Sequence, residues 1–134
     1  MTAVTPVDDS GKGLVFPYGA VPLGASSGNV AAATATATLV AVANKTTYIT
    51  GFQVTGAGAT AGLPVSVTVT GLLGGTQTFT YVAAAGVLVA NQPLIVKFDP
   101  PLPASAQNTN IVVSCPSLGS GNTNNAVSAQ GFNL

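Results

Sequence analysis

Residues 63–84 alternate apolar and polar side chains in two short runs separated by a glycine pair. The first run alternates valines with serine and threonine, and the second alternates Phe79 and Tyr81 with threonines. A period of two gives each run one apolar face and one hydroxylated face, as in a half-buried β-strand. Two such strands joined by Gly74-Gly75 predict a β-hairpin, and this hairpin constrains the chain to a β fold.

The length of the hairpin loop decides which faces meet. A two-residue loop at Gly74-Gly75 would place Val69 opposite Thr80 and put the valines on the face of the threonines. A three-residue loop, residues 73–75, shifts the pairing by one and gives the pairs Val69–Phe79, Val67–Tyr81 and Thr70–Thr78. Glycine occupies the left-handed position of such a loop with little strain. We predict this register, or a bulge at Gly71 with the same effect.

The rest of the chain carries further strand patterns. Predicted strands cover residues 30–42, 46–55, 94–99, 111–115 and 126–132, and a short apolar run covers residues 87–90. In the second of these strands, Tyr48, Phe52 and Val54 are expected on one side, with a weak point at Gly51. Composition predicts loops at residues 24–29, 56–62 and 119–125. The prolines of residues 100–103 cannot lie inside a sheet ladder, which predicts a stiff crossing between strands.

These patterns predict an all-β chain, because no segment has a convincing helical period. Many short strands punctuated by Gly, Pro and Asn predict a jelly-roll-like antiparallel β-sandwich of about eight strands. An immunoglobulin-like sandwich is the alternative, although its Cys–Trp–Cys core is impossible with one cysteine and no tryptophan. We expect one sandwich domain over residues 19–134, preceded by an extended arm over residues 1–18.

The surface of such a domain is nearly free of charge. Only 4% of the residues are charged and the net charge is zero, against roughly 25% charged residues in an average soluble protein. An uncharged surface is poorly protected from association. This composition predicts that neighbouring chains cover much of the surface, although a small neutral domain made soluble by Thr, Ser, Asn and Gln has the same composition.

The sequence contains few groups that could carry chemistry. It has no His, Arg or Glu, and its carboxylic side chains are Asp8, Asp9 and Asp99. General acid–base catalysis and zinc binding therefore lack their usual groups, and we predict no enzyme activity, no metal and no cofactor. Without a basic patch or a run of about 20 apolar residues, we expect neither nucleic-acid nor membrane binding. Cys115 is expected to face the core and to react slowly with thiol reagents.

The N-terminal arm contains the candidate contact residues. Its first thirteen residues carry half of the six charges and show little periodicity, which predicts a flexible or partner-ordered lead. An apolar patch follows, formed by Leu14, Val15, Phe16 and Tyr18. Exposed apolar side chains of this kind mark partner contacts. Phe16 and Tyr18 could equally pack on the core of their own domain.

Residues 45–134 resemble small structural proteins of tailed bacteriophages. The similarity lies in KTTYITGFQVTGAGAT, FDPPLPASAQNTNIVVS and the terminal GFNL. Such proteins are similar to capsid decoration, cement or head-fibre proteins, which are compact, non-enzymatic β-domains and often trimers. The resemblance implies a location on the capsid surface of a virion assembled in the host cytoplasm, and the lack of a signal-peptide pattern at the N-terminus agrees with it. It assigns no functional residue.

Three functions remain open at the level of sequence. The first is a structural protein of a phage particle that forms a homotrimer and binds the major capsid protein through its arm. The second is a receptor- or glycan-binding module of a tail fibre or baseplate, which clustered exposed Tyr and Phe side chains at one end of the sandwich would favour. The third is a secreted adhesin-like domain, which the missing signal-peptide pattern disfavours.

Overall fold

Every regular element in the described part of the chain is a β-strand. The computed structural model describes residues 17–86 and 92–134, and no helix suited to crossing a membrane occurs in these ranges. The eight strands are β1 (Val21–Ser26), β2 (Ala35–Leu39), β3 (Thr47–Ala57), β4 (Pro64–Thr70), β5 (Gln77–Val82), β6 (Leu94–Pro103), β7 (Ile111–Cys115) and β8 (Asn124–Asn133).

The strands pair in a nested antiparallel order. Strand β1 pairs with β8, β2 with β7, β3 with β6 and β4 with β5, as in one long ribbon whose tip is the β4–β5 turn. Additional pairing of β3 with β8 and of β4 with β7 joins the ribbon into two four-stranded sheets, β1-β8-β3-β6 and β2-β7-β4-β5. The sandwich predicted from the sequence is confirmed, and its nested order is jelly-roll-like.

The core lies between the inner faces of the two sheets. Its largest fully buried side chains are those of Phe52, Leu39, Ile49, Ile111 and Leu118. Along β4 and β7 the buried positions alternate with half-buried ones, as the period of two predicts. Cys115 is fully buried with Ile111 and Val113 on the inner face of β7, which confirms its predicted orientation.

The faces of the β4–β5 hairpin were predicted correctly, but the predicted pairs were wrong. Val69 lies opposite Gln77 and Val67 opposite Phe79, two positions away from the predicted pairs. The loop is longer than three residues because the chain leaves the ladder at Gly71, which has a φ of +85°. Leu72 then turns into the core at 3% exposure and bridges to Ala104. A shift of two positions keeps every side chain on its predicted face.

A bulge in β3 overturns the predicted position of Tyr48. The pairing of β3 with both of its neighbours shifts between Ile49 and Gly51, which confirms the weak point expected there. A bulge adds one residue and reverses the alternation, so Ile49 and Phe52 both point into the core. Tyr48 is therefore on the opposite face from Phe52, where its ring stacks on that of Phe132 at 5.0 Å.

The prediction that the prolines of residues 100–103 form a crossing between strands was wrong, because these residues form the last part of β6. Pro103 pairs with Tyr48 and Leu102 with Ile49 after the bulge. Strand β6 is at the edge of its sheet, where a proline without an N–H group interrupts no ladder on the free side. The crossing between sheets follows at Ala104.

Other strand boundaries also differ from the prediction, since β3 extends to Ala57 and β8 begins at Asn124. Residues 24–29 were predicted as a loop, yet residues 24–26 complete β1, which pairs with β8. The strand predicted over residues 30–42 is shorter, because only Ala35–Leu39 pairs with β7 and Val30 forms a single bridge. The apolar run predicted at residues 87–90 is outside the described residues.

Candidate docking surface

Of the four candidate contact residues, one lies in the described part of the chain. Leu14, Val15 and Phe16 are outside it. Tyr18 is 77% exposed, in a turn that Ala20 closes by donating its N–H to the carbonyl oxygen of Pro17 at 3.0 Å. The ring of Tyr18 therefore does not pack on the core of its own domain, and its role as a contact residue stays a prediction.

Tyr18 lies at the end of the sandwich where the chain enters β1. The β2–β3, β4–β5 and β6–β7 loops meet at this end, since the strands that bear them pair antiparallel with one another. We call it the arm end. Six of the exposed large apolar side chains are here, namely Tyr18, Val21, Val40, Val42, Leu73 and Leu134. The arm end is thus an apolar surface formed by residues far apart in the sequence.

Asparagine side chains hold two of these loops together. Ala41 donates its N–H to Oδ1 of Asn110 at 2.8 Å, and Asn44 donates to Oδ1 of Asn108 at 2.8 Å. The N–H of Asn108 donates in return to the carbonyl oxygen of Lys45 at 3.1 Å. The β2–β3 loop is fixed in this way against the β6–β7 loop, so Val40 and Val42 are presented on an ordered support.

The C-terminus is fixed at the arm end by a second set of bonds. Thr46 and Leu134 exchange backbone hydrogen bonds of 2.9 and 3.0 Å. One residue further in, the buried hydroxyl of Thr47 donates to Oδ1 of Asn133 at 2.8 Å. These bonds place the exposed side chain of Leu134 beside the β2–β3 loop.

Charge is almost missing from this surface. The charged residues in the described part of the chain are Lys45, Lys97 and Asp99, and only Lys45 is at the arm end. Lys97 and Asp99 are on β6, exposed on the outer face of their sheet. An apolar surface with one cation favours a protein partner over nucleic acid or an acidic ligand.

The described residues contain few groups that could bind a metal or carry acid–base chemistry. No group of three or more potential metal ligands forms among them. Burial raises the pKa of the Cys115 thiol to about 11, against the smaller opposing effect of a hydrogen bond with Asn125. A thiol with so high a pKa is a poor nucleophile at neutral pH.

The aromatic side chains of the described residues are mostly internal. Phe52, Phe79 and Phe98 pack edge-on or tilted against one another with ring centroids 5.2 to 6.4 Å apart. Phe132 is buried under Tyr48, and Tyr81 is buried in the core. Tyr18 alone presents a largely exposed ring, so the described residues form no cluster of exposed aromatic side chains.

Most of the arm end was not found from the sequence. Val40 and Val42 were assigned to a strand, and Leu73 to a tight hairpin loop. The sequence feature that could have indicated this surface is a large apolar side chain in a loop, as at Leu73. Exposing such a side chain to water is unfavourable unless a partner covers it. The sequence did not indicate that Val21 and Leu134 belong to this surface, because their positions depend on the pairing of β1 with β8.

The chain matches no family model, no curated protein and no solved structure. The comparisons therefore assign neither a family nor a function.

Proposed function

We propose that the chain is a non-enzymatic structural protein of a phage virion that decorates or cements the capsid exterior through its arm end. The supporting observation is the concentration of exposed apolar side chains where the N-terminal arm joins the sandwich. Leu14, Val15 and Phe16, the other candidate contact residues, directly precede Pro17 in the sequence. The sequence resemblance to phage decoration proteins supplies the virion setting.

The proposal of a non-enzymatic role is supported by the residue inventory. The whole chain lacks His, Glu and Arg. In the described part, Asp99 is the one carboxylic side chain, and the Cys115 thiol is buried in the core. Hydrolysis by a nucleophilic side chain commonly needs a nearby base, and glycoside hydrolysis commonly needs a pair of carboxylates.

A receptor- or glycan-binding role has less support. Clustered exposed Tyr and Phe side chains would have favoured it, and Tyr18 is the single largely exposed aromatic residue of the described part. Valine and leucine side chains dominate the arm end instead. Such aliphatic surfaces suit contact with another protein, in this proposal the major capsid protein.

The arm also bears on the proposed assembly as a homotrimer. One arm that orders on binding loses conformational entropy, which weakens a single contact. Three arms on one trimer would compensate through their effective concentration at the capsid. A trimer would match a local three-fold position of a capsid lattice.

The test is to purify virions that carry the chain, strip it and add it back as variants. Deleting residues 1–18 is expected to lower rebinding sharply. The circular dichroism spectrum of this variant is expected to show that the sandwich stays folded. A matched pair of point variants separates the two ends of the molecule. Val40→Asp changes a 62% exposed residue of the arm end, and Leu63→Asp changes a 53% exposed residue of the opposite end.

Rebinding is expected to fall with Val40→Asp and to stay near the parent level with Leu63→Asp. Equal rebinding of the deletion variant and the parent chain would show that the arm does not attach the protein. If the chain is missing from purified virions, the structural role itself is wrong.

A further inference from the structure

Lys45 lies between two exposed aliphatic residues of the arm end. Its N–H donates to the carbonyl oxygen of Val42 at 3.1 Å, which closes a β-turn and keeps the Cα atoms of the two residues within about 7 Å. The next residue, Thr46, exchanges two backbone hydrogen bonds with Leu134. Val42 and Leu134 are 44% and 43% exposed, and Lys45 is half-buried. A partner that covers both aliphatic side chains therefore also covers Lys45.

The backbone of Lys45 is held by two asparagines in the left-handed conformation. Asn44 and Asn108 have φ values of 60° and 61°, and they are two of the three non-glycine residues with positive φ in the described chain. Asn44 donates its N–H to Oδ1 of Asn108, and the N–H of Asn108 donates to the carbonyl oxygen of Lys45. Sparsely populated backbone conformations concentrate at binding sites, where they fix a residue before its partner arrives. Lys45 is thus presented by a preorganised loop.

Lys45 has no opposite charge close to it among the described residues. The one carboxylic side chain of these residues is that of Asp99, exposed on β6, and no ion pair between described residues involves Lys45. Removing an ammonium from water without a counter-charge is strongly unfavourable. A lysine at the rim of an interface can keep its ammonium in water, but Lys45 lies between two of the side chains that a partner would cover.

We propose that the partner bound by the arm end presents a carboxylate that pairs with the ammonium of Lys45, among aliphatic contacts made by Val40, Val42 and Leu134. This inference rests on the proposed function, since it describes the surface of the capsid protein that the arm end contacts. The aliphatic contacts exclude water from the ion pair. The ion pair in turn selects a surface with an acidic group at this point, which is how charge gives an interface its specificity.

The carboxylate could also come from this chain. Asp8 and Asp9 are outside the described residues, and Lys12, close to them in the sequence, offers them a counter-charge of their own. The aliphatic neighbours of Lys45 are substantially exposed, so the surface beside it is accessible to a partner. We therefore assign the carboxylate to the partner, and the variant Asp8→Asn/Asp9→Asn tests the other source.

The ion pair is tested with Lys45→Met in the full chain. Methionine keeps an unbranched apolar side chain and removes the charge. The matched control is Lys97→Met, which removes the same charge from an exposed residue of β6. Each variant is added at increasing concentration to virions stripped of the chain, and its dissociation constant is compared with that of the parent. Urea unfolding of each variant measures any change in the stability of the sandwich.

A partner with a carboxylate and a partner without one predict opposite results. With the carboxylate, Lys45→Met leaves a buried acidic group unpaired, so the dissociation constant should rise at least about tenfold at unchanged urea midpoint. Lys45→Glu should weaken binding further, because like charges then meet. With a purely aliphatic partner, Lys45→Met removes a charge that would have to be desolvated, so binding should stay the same or become tighter.

The proposal is overturned if Lys45→Met binds as tightly as the parent chain or more tightly, or if Lys97→Met weakens binding equally. It is also overturned if Asp8→Asn/Asp9→Asn weakens binding as much as Lys45→Met, because the carboxylate then belongs to the arm. In these cases the proposed function stands as long as the parent chain rebinds. A parent chain that does not rebind to stripped virions contradicts the proposed function and this proposal together.

Discussion

Gly71 sets the register of the central hairpin, and replacing it with alanine tests how. Its φ of +85° is in the left-handed region, where an alanine costs about 1–2 kcal/mol relative to glycine. A Cβ atom at this position would also collide with the carbonyl oxygen of Asn110. That oxygen belongs to backbone, so the collision cannot be relieved by a side-chain rotation.

The collision has a cost that can be estimated from the neighbouring bonds. The carbonyl oxygen of Gly71 accepts a 2.8 Å hydrogen bond from the N–H of Ser105, and the preceding Thr70 pairs with Val112. Moving the backbone apart weakens one or two such bonds, each worth about 1 kcal/mol. Together with the left-handed backbone, Gly71→Ala is expected to lower the free energy of unfolding by about 2–4 kcal/mol.

Gly74 provides the control, since its φ of +100° is also left-handed but a Cβ there meets nothing within 4 Å. Gly74→Ala should therefore cost only the conformational part, about 1–2 kcal/mol. Urea unfolding of both variants measures the difference. If the two variants lose the same free energy within about 0.5 kcal/mol, the close approach of Gly71 to the β6–β7 loop does not stabilise the register.

Three other predictions concern the buried side chains of Cys115 and Asn125. Cys115 should react with thiol reagents much more slowly in the native than in the unfolded chain, as stopped-flow labelling can measure. The pKa of the Cys115 thiol rises from 9.0 to about 11 on folding, so the protonated thiol stabilises the folded state below pH 9. This contribution should be lost as the pH rises from about 9 to about 11, and the urea midpoint should fall over that range. A Cys115→Ala variant should not show this part of the fall. Asn125→Ala should lower the free energy of unfolding by about 2–3 kcal/mol, as measured with urea. The reason is that the buried side-chain amide donates to the carbonyl oxygens of Ala33, Cys115 and Pro116. The control, Asn124→Ala at an exposed position, should lower it by less than about 1 kcal/mol.

The sequence predicted those features of the fold that depend on a local period. The alternation in β4 and β5 correctly placed Val67, Val69 and Tyr81 on the inner face, and the run from Ile111 to Cys115 was predicted with its observed bounds. These strands are regular, so each residue's face follows from its neighbours. No long-range information was needed to assign them.

The errors lie where tertiary contacts override the local pattern. The hairpin pairs were displaced because Leu72 is drawn into the core beside Ala104, a residue thirty-two positions away. Tyr48 was assigned to the wrong face because the bulge before Gly51 is fixed by pairing with β6 and β8. The prolines of β6 were excluded from a sheet because nothing in the sequence says that this strand is an edge.

The candidate docking surface could be located only in part from the sequence, because tertiary pairing brings most of its residues together. The candidate contact residues preceding β1 are adjacent in the sequence, and among them Tyr18 is exposed. Val40, Leu73 and Leu134 join it only because the nested strand order brings three loops and the C-terminus to one end.

The orientation of the sandwich on a particle tests the proposed function most directly. A cryo-electron microscopy reconstruction of purified virions that carry the chain would show it as density of known shape. We expect sandwiches outside the capsid shell with Tyr18, Val40 and Leu134 facing the shell. Sandwiches attached by the opposite end, where Leu63 is exposed, or virions without this density, would contradict it.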